Sequence, residues 1–369
     1  MHCFQTDYSQ FLILPPYNVL WTQVIARGGS GREDPAIASS GLTVNYNLPQ
    51  VTKPADHNNF WQYAAAYGWN LQPGVGLTGK ETAGTMDAAT DHFIAEGVPV
   101  VDVNDSGTWD PYPFFVVDVQ SATQSVAQTV NVAPASTEMS CYLCHSGNTI
   151  PEIYAGILQT HDRNDGTALA QQAQGGTPVL CNSCHADAAM GVMENKNSTT
   201  TLSGAMHTFH ADKMMGSQLP QNTCQACHPG PQTQCLRDVM ASAGITCTDC
   251  HGTMQDLGDP ARTPWVNMPK CQTCHGDNLG VPSASRIDNP NQNLTVDSNA
   301  LYRNSKAHGG GGIYCAACHG SPHAIYPTST ERDNQQSIRL QGQPGTITEC
   351  AVCHGERPDE GFWHFGGGD

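Results

Sequence analysis

The chain has 369 residues, of which only 13% are charged, and its 33 acidic against 16 basic side chains leave a formal charge of -17. That balance excludes the basic face that nucleic acid or an anionic membrane surface would need, and no run reaches the roughly 18 apolar residues of a spanning helix. With 37 glycines and 24 prolines, much of the backbone is expected in loops and turns, and the length suits one large domain or two ordinary ones.

The first stretch, MHCFQTDYSQFLILPPYNVLWTQVIARGG, holds an apolar patch. It has no basic flank, is broken by Pro15 and Pro16 and shows no small-residue cleavage site, so it is not read as a signal peptide. Residues 1–135 read as a β-rich domain. In GLTVNYNLP, Leu42, Val44, Tyr46 and Leu48 alternate with Thr43, Asn45 and Asn47, the period of a strand with one buried face. GVPVVDV, YPFFVVDVQ and SVAQTVNVAP are further candidate strands, together making a small antiparallel sandwich or open sheet. FWQYAAAYGWNL is expected to pack that core with no cofactor role. His57 and His92 each follow an acidic residue that could orient the ring.

Residues 136–369 carry a different signal. Fourteen of the sixteen cysteines fall into seven copies of C-x-x-C-H. The copies are Cys141, Cys144, His145; Cys181, Cys184, His185; Cys224, Cys227, His228; Cys247, Cys250, His251; Cys271, Cys274, His275; Cys315, Cys318, His319; and Cys350, Cys353, His354. Chance expects about 0.03 copies in a chain of this composition, so the repeat is a c-type haem attachment array. Two thiols reach the two vinyl groups on one edge of a porphyrin, and the next histidine falls under the iron. A zinc or redox C-x-x-C would account for one copy but not for an adjacent histidine seven times over.

Seven haem c groups leave seven sixth positions on iron. Nine histidines are not proximal, and six of them, His161, His207, His210, His308, His323 and His364, lie among or after the motifs and are expected as distal ligands. His207 and His210, three apart, would share one helical face and serve two neighbouring haems. One distal ligand is then missing, and His57 or His92 is the candidate, with His2 a more remote one. A stretch of 234 residues is too short for seven haems and a conventional core as well, so the porphyrins are expected to be the core, with short helices at the attachment sites. The motif starts at 224, 247 and 271 enclose no spare histidine, which forces the chain to interleave. Cys3 and Cys235 remain, and an even remainder permits a disulfide in an oxidising compartment. Calcium would suit so acidic a chain, but no complete calcium loop occurs.

The motif array, the histidine pair after the second motif, CHPGPQTQCLRDVM and LYRNSKAHGGGGIYCAACHGSPHA resemble the exported multihaem c-type cytochromes of extracellular electron transfer, some of which polymerise into cytochrome nanowires. The resemblance covers mainly residues 136–369. It implies a loop-rich multihaem cytochrome c fold with short helices and little regular structure, preceded by the β-rich N-terminal domain. It also implies bis-histidine irons, a ligand that can come from the next subunit of a homopolymer, and redox donor and acceptor proteins or extracellular acceptors as partners. Export to the cell surface or beyond, with the periplasm as alternative, follows from the compartment of haem attachment, and the export signal is expected to lie outside the sequence given. The expected role is non-enzymatic electron transfer. The competing readings are a reductase of a nitrogen or sulfur oxyanion with one open haem, and a shuttle that never assembles.

Overall fold

A computed structural model describes residues 2–29, 35–122, 124–214, 223–271, 274, 302, 306–307 and 312–355. These residues form short helices and several small sheets joined by long loops.

The largest sheet runs Gln124–Val132, Phe114–Ser121, Leu42–Asn47, Ala83–Thr85, antiparallel throughout. Its register sets Val117 opposite Tyr46 and Val119 opposite Val44. Because side chains alternate across a strand, these four with Phe115 turn one face inward, and all five are buried. A second sheet of Tyr17–Thr22, Phe93–Pro99 and Asp87–Ala88 completes the β structure around one core. The strand expected over GVPVVDV lies earlier, at Phe93–Pro99, and Val100 and Val101 are buried without belonging to it. The pairing carries one bond past the strand, Val100 N–H to Pro16 O at 2.9 Å, and Pro16, having no N–H, cannot return it, so the ladder ends there.

FWQYAAAYGWNL forms a helical turn, Phe60–Tyr63, and a 3-10 turn, Ala64–Tyr67, closed by Gly68 at φ 92°, a conformation that glycine adopts without a Cβ clash. Phe60 is fully buried, with ring centres 5.2 Å from Tyr8, 5.5 Å from Tyr17 and 5.4 Å from Trp61, all edge-on. That arrangement sets the positive edge of one ring against the negative face of the next.

The N-terminal segment is threaded through the molecule. His2–Cys3 pairs in parallel with Ala135–Ser136, and Phe11–Leu12 pairs in parallel with Val179–Leu180. Phe11 joins Ile153, Tyr154, Leu158, Ala173 and Val179 in a second apolar cluster, its ring 4.6 Å from that of Tyr154.

Two longer helices follow the strands. Ile150–Asp165 starts at Thr149, whose side chain accepts the Glu152 N–H, and stops at Gly166, φ 66°. Leu202–Met214 packs on the short helix Met254–Gly258. Contact there is close: Thr208 donates its hydroxyl to the Gly258 carbonyl at 3.1 Å, and a Cβ on Gly258 would lie 2.4 Å from Thr208 Oγ1. Among the described residues no helix is long and apolar enough to cross a membrane.

Phe60→Ala removes the centre of the aromatic cluster and is expected to cost about 3–5 kcal/mol, read as a lower denaturant midpoint at unchanged slope.

Candidate metal centres

Six of the seven motifs are described whole; of the remaining one Cys271 and Cys274 are described, while His275, with His308 and His364, lies outside the described residues. Each whole motif is a single helical turn: 3-10 at Cys141–Leu143, Cys181–Ser183, Thr223–Ala226 and Cys350–Val352, and α at Cys247–His251 and Cys315–His319. The first cysteine's carbonyl accepts the histidine N–H at 2.9 Å in the first motif, 3.1 Å in the second and 2.8 Å in the third and seventh. Residues three and four apart on such a turn share a side, so both thiols and the ring fall together. Sequence spacing therefore becomes a three-point grip.

The rings then meet in pairs. His145 faces His210 at 6.4 Å between ring centres, His161 faces His185 at 6.4 Å, His207 faces His228 at 6.1 Å and His251 faces His323 at 6.1 Å. Every pair joins one motif histidine to one histidine outside the motifs. An imidazole nitrogen bonds a metal at about 2.0–2.1 Å; adding about 1.1 Å from nitrogen to ring centre on each side puts two rings on opposite sides of one metal about 6.3 Å apart. All four separations agree with that value. Interplanar angles differ, 79°, 87°, 15° and 51° in the same order.

Hydrogen bonds select the tautomer in several of these rings. Nδ1 of His185 donates to Thr200 O at 2.9 Å, and those of His207 and His210 donate to Ser203 O and Met206 O at 2.7 Å each. A carbonyl only accepts, so the proton sits on Nδ1 and the lone pair on Nε2 is left for a metal. Burial pushes His145, His207 and His251 below the ordinary imidazole range, His228 to about 4 and His323 to about 3. Neutral imidazole is the ligating form.

The motifs also lie beside one another. Burial, then the nearby thiols of Cys141 and Cys144, pushes Cys227 up to about 11, and burial, then Cys247, raises Cys224. Cys250 and Cys274 interact likewise, and burial, then Cys353, pushes Cys318 up to about 12. Tyr302 lies within electrostatic reach of Cys271, Cys315 and Cys318. Neighbours in space are therefore motifs one and three, three and four, four and five, and six and seven, with Tyr302 between five and six. The second joins the first through the helix Ile150–Asp165, which leaves the first motif and carries His161 to His185.

His57 and His92 are differently placed. His57 is half-buried at the end of a 3-10 turn, Pro54–Asp56, near Asp105. The ring of His92 is stacked on Trp21 at 4.6 Å, with Nδ1 2.9 Å from Asp91 Oδ1 and 3.1 Å from the hydroxyl of Tyr314, the residue before Cys315. Cys3 and Cys235 are close enough for their thiols to interact, yet both are free. Among the described residues no group of three or more His, Cys, Asp or Glu side chains is placed to hold a metal ion by itself. A pair of axial ligands is what the polypeptide owes a haem iron, since the porphyrin supplies the other four nitrogens. Tyr142, Leu143, Met206 and Phe209, which flank ligand candidates in sequence, expose apolar surface that would suit a porphyrin face.

Sequence reasoning missed what holds His323 in place. Its carbonyl accepts the Arg237 N–H at 3.1 Å, and the Arg237 guanidinium makes a buried two-point pair with Asp333, Nε to Oδ2 2.5 Å and Nη2 to Oδ1 2.7 Å. The guanidinium also lies 4.2 Å over the Tyr112 ring. These residues come from three distant stretches, and no local pattern connects them. Comparison of the chain with family models, with curated proteins and with solved structures gave no match.

Asp333→Ala leaves the Arg237 charge buried without its partner, and a loss of about 3–5 kcal/mol is expected in denaturant unfolding.

Proposed function

We propose that the chain is an electron-transfer protein carrying seven haem c groups, each bound by two thioethers and by two axial histidines. The observation that carries this reading is the set of four ring pairs at 6.1–6.4 Å, each matching a motif histidine to another. With both axial positions filled, the irons exchange electrons and offer no open site for substrate, which favours a conduit over a reductase. The succession of motifs two, one, three, four, five, six and seven supports a continuous row. His145, His185, His228, His251, His275, His319 and His354 serve as proximal ligands, and His161, His207, His210, His308, His323 and His364 as distal ones.

The seventh distal ligand is His92 rather than His57, because Asp91 holds its Nδ1 in the manner of a carboxylate behind a metal-bound imidazole. In this reading the protein is exported, and His92 bridges to a haem of the next subunit in an extracellular homopolymer. His207→Ala, with His210→Ala as a second case, is expected to convert one haem in seven to high spin, seen as a new charge-transfer band and a high-spin EPR signal; unchanged spectra in both variants contradict the assignment. Electron microscopy of the purified protein tests assembly. Filaments are expected from the native chain and their loss from His92→Ala, whereas discrete particles of the native chain under all conditions contradict the polymer.

A further inference from the structure

The four histidines that stand opposite motif histidines differ in what holds their second ring nitrogen. His207 and His210 use carbonyls one turn earlier in their own helix, at 2.7 Å each. His323 has the Cys235 sulfur at 3.7 Å from Nδ1, and a thiol sulfur is a weak acceptor. His161 alone of the four reaches a side chain backed by a carboxylate.

Nδ1 of His161 lies 3.0 Å from Thr167 Oγ1, and Thr167 Oγ1 lies 2.6 Å from Asp162 Oδ1. A hydroxyl has one proton and an ionised carboxylate can only accept, so that proton belongs to the 2.6 Å bond and Oγ1 must accept from His161 Nδ1–H. Asp162 is held in this position, because Oδ1 also accepts the Leu169 N–H at 2.7 Å and Oδ2 the Ala170 N–H at 2.9 Å. Asp165 Oδ2, 3.7 Å from the same Nδ1, is too far to bond but adds negative charge on that side.

Resting on the reading of His161 and His185 as an axial pair, we propose that Thr167 and Asp162 are positioning residues that make the second haem the lowest in potential of the four described pairs. A hydrogen bond passed through a hydroxyl to a carboxylate draws the Nδ1 proton away from the ring, and successive bonds of this kind strengthen one another. The ring becomes a stronger donor through Nε2 and stabilises the ferric state. A backbone carbonyl draws less, and a thiol less still. The second haem therefore stands at the donor end of its row: the one electron it releases is the one electron its neighbour gains, and no proton moves.

The test is EPR-monitored redox titration of the native chain, Thr167→Val and Thr167→Ser. Axial rings near perpendicular leave two iron orbitals nearly degenerate and give a strongly anisotropic low-spin signal, which the pairs at 87° and 79° share and the nearly parallel pair at 15° does not. The strongly anisotropic component whose potential moves in Thr167→Val is therefore the one read as the second haem. Valine keeps the shape of threonine and can neither accept nor donate. Thr167→Val is expected to raise the potential of that one component by up to a tenfold change in its reduction equilibrium, about 59 mV for one electron. Thr167→Ser should leave it near the native value, and every haem should stay low-spin in both. An unchanged or lowered potential in Thr167→Val, or an equal shift in both variants, overturns the proposal while seven bound haems still uphold the wider reading. A native chain without covalent haem fails that reading itself.

Discussion

In the proposed reading one constraint governs this chain: a motif histidine, fixed by a single helical turn to its own two cysteines, must find a second ring across about 6.3 Å. The turn is local and needs only five residues, which explains why it survives in regions with little other regular structure. The second ring is not local. His210, from a helix far along the chain, reaches back to His145, and His323 reaches back across 72 residues to His251. Each such pairing staples a long loop.

The fold follows from meeting that constraint several times at once. The helix Leu202–Met214 serves two motifs from one face, because His207 and His210 are three residues apart. Its seat on Gly258 leaves no room for a Cβ, which would meet Thr208 Oγ1 at 2.4 Å and Thr208 N at 3.0 Å, so between the two histidines the helix lies close against Met254–Gly258. Arg237 and Asp333 hold the loop of His323, exchanging ordinary core packing for one buried ion pair. The β-rich part, by contrast, has an apolar core of its own built on Phe60, Tyr46 and Phe115. Its N-terminal strands tie that core to the region of the motifs through Phe11 and Cys3.

How much of this could be read from residue order depends on the range of the interaction. The seven motifs and the turn at each of the six described whole were legible, because the chemistry repeats at a fixed short spacing. Strands with clean alternation were legible too, as at Leu42–Asn47 and Phe114–Ser121. The strand at Phe93–Pro99 was displaced from its expected place because apolar content alone does not reveal that the facing segment reaches Pro16, which has no N–H to continue the ladder. Six distal candidates could be named from their positions among the motifs, and His207 and His210 do stand opposite motif histidines. Their partners could not be named, since pairing His161 with the second motif rather than the first depends on the direction of an intervening helix. The hydroxyl of Thr167, the sulfur of Cys235 and the Arg237–Asp333 pair left no periodic trace, because each is one contact between residues chosen for a single site.

The measurement that bears most directly on the paired-histidine account is low-temperature EPR of the fully oxidised native protein, with spins counted against iron. Seven low-spin irons per chain and no stoichiometric high-spin signal are the result the account predicts. A high-spin iron in every chain would contradict it, for one motif histidine would then face an open site.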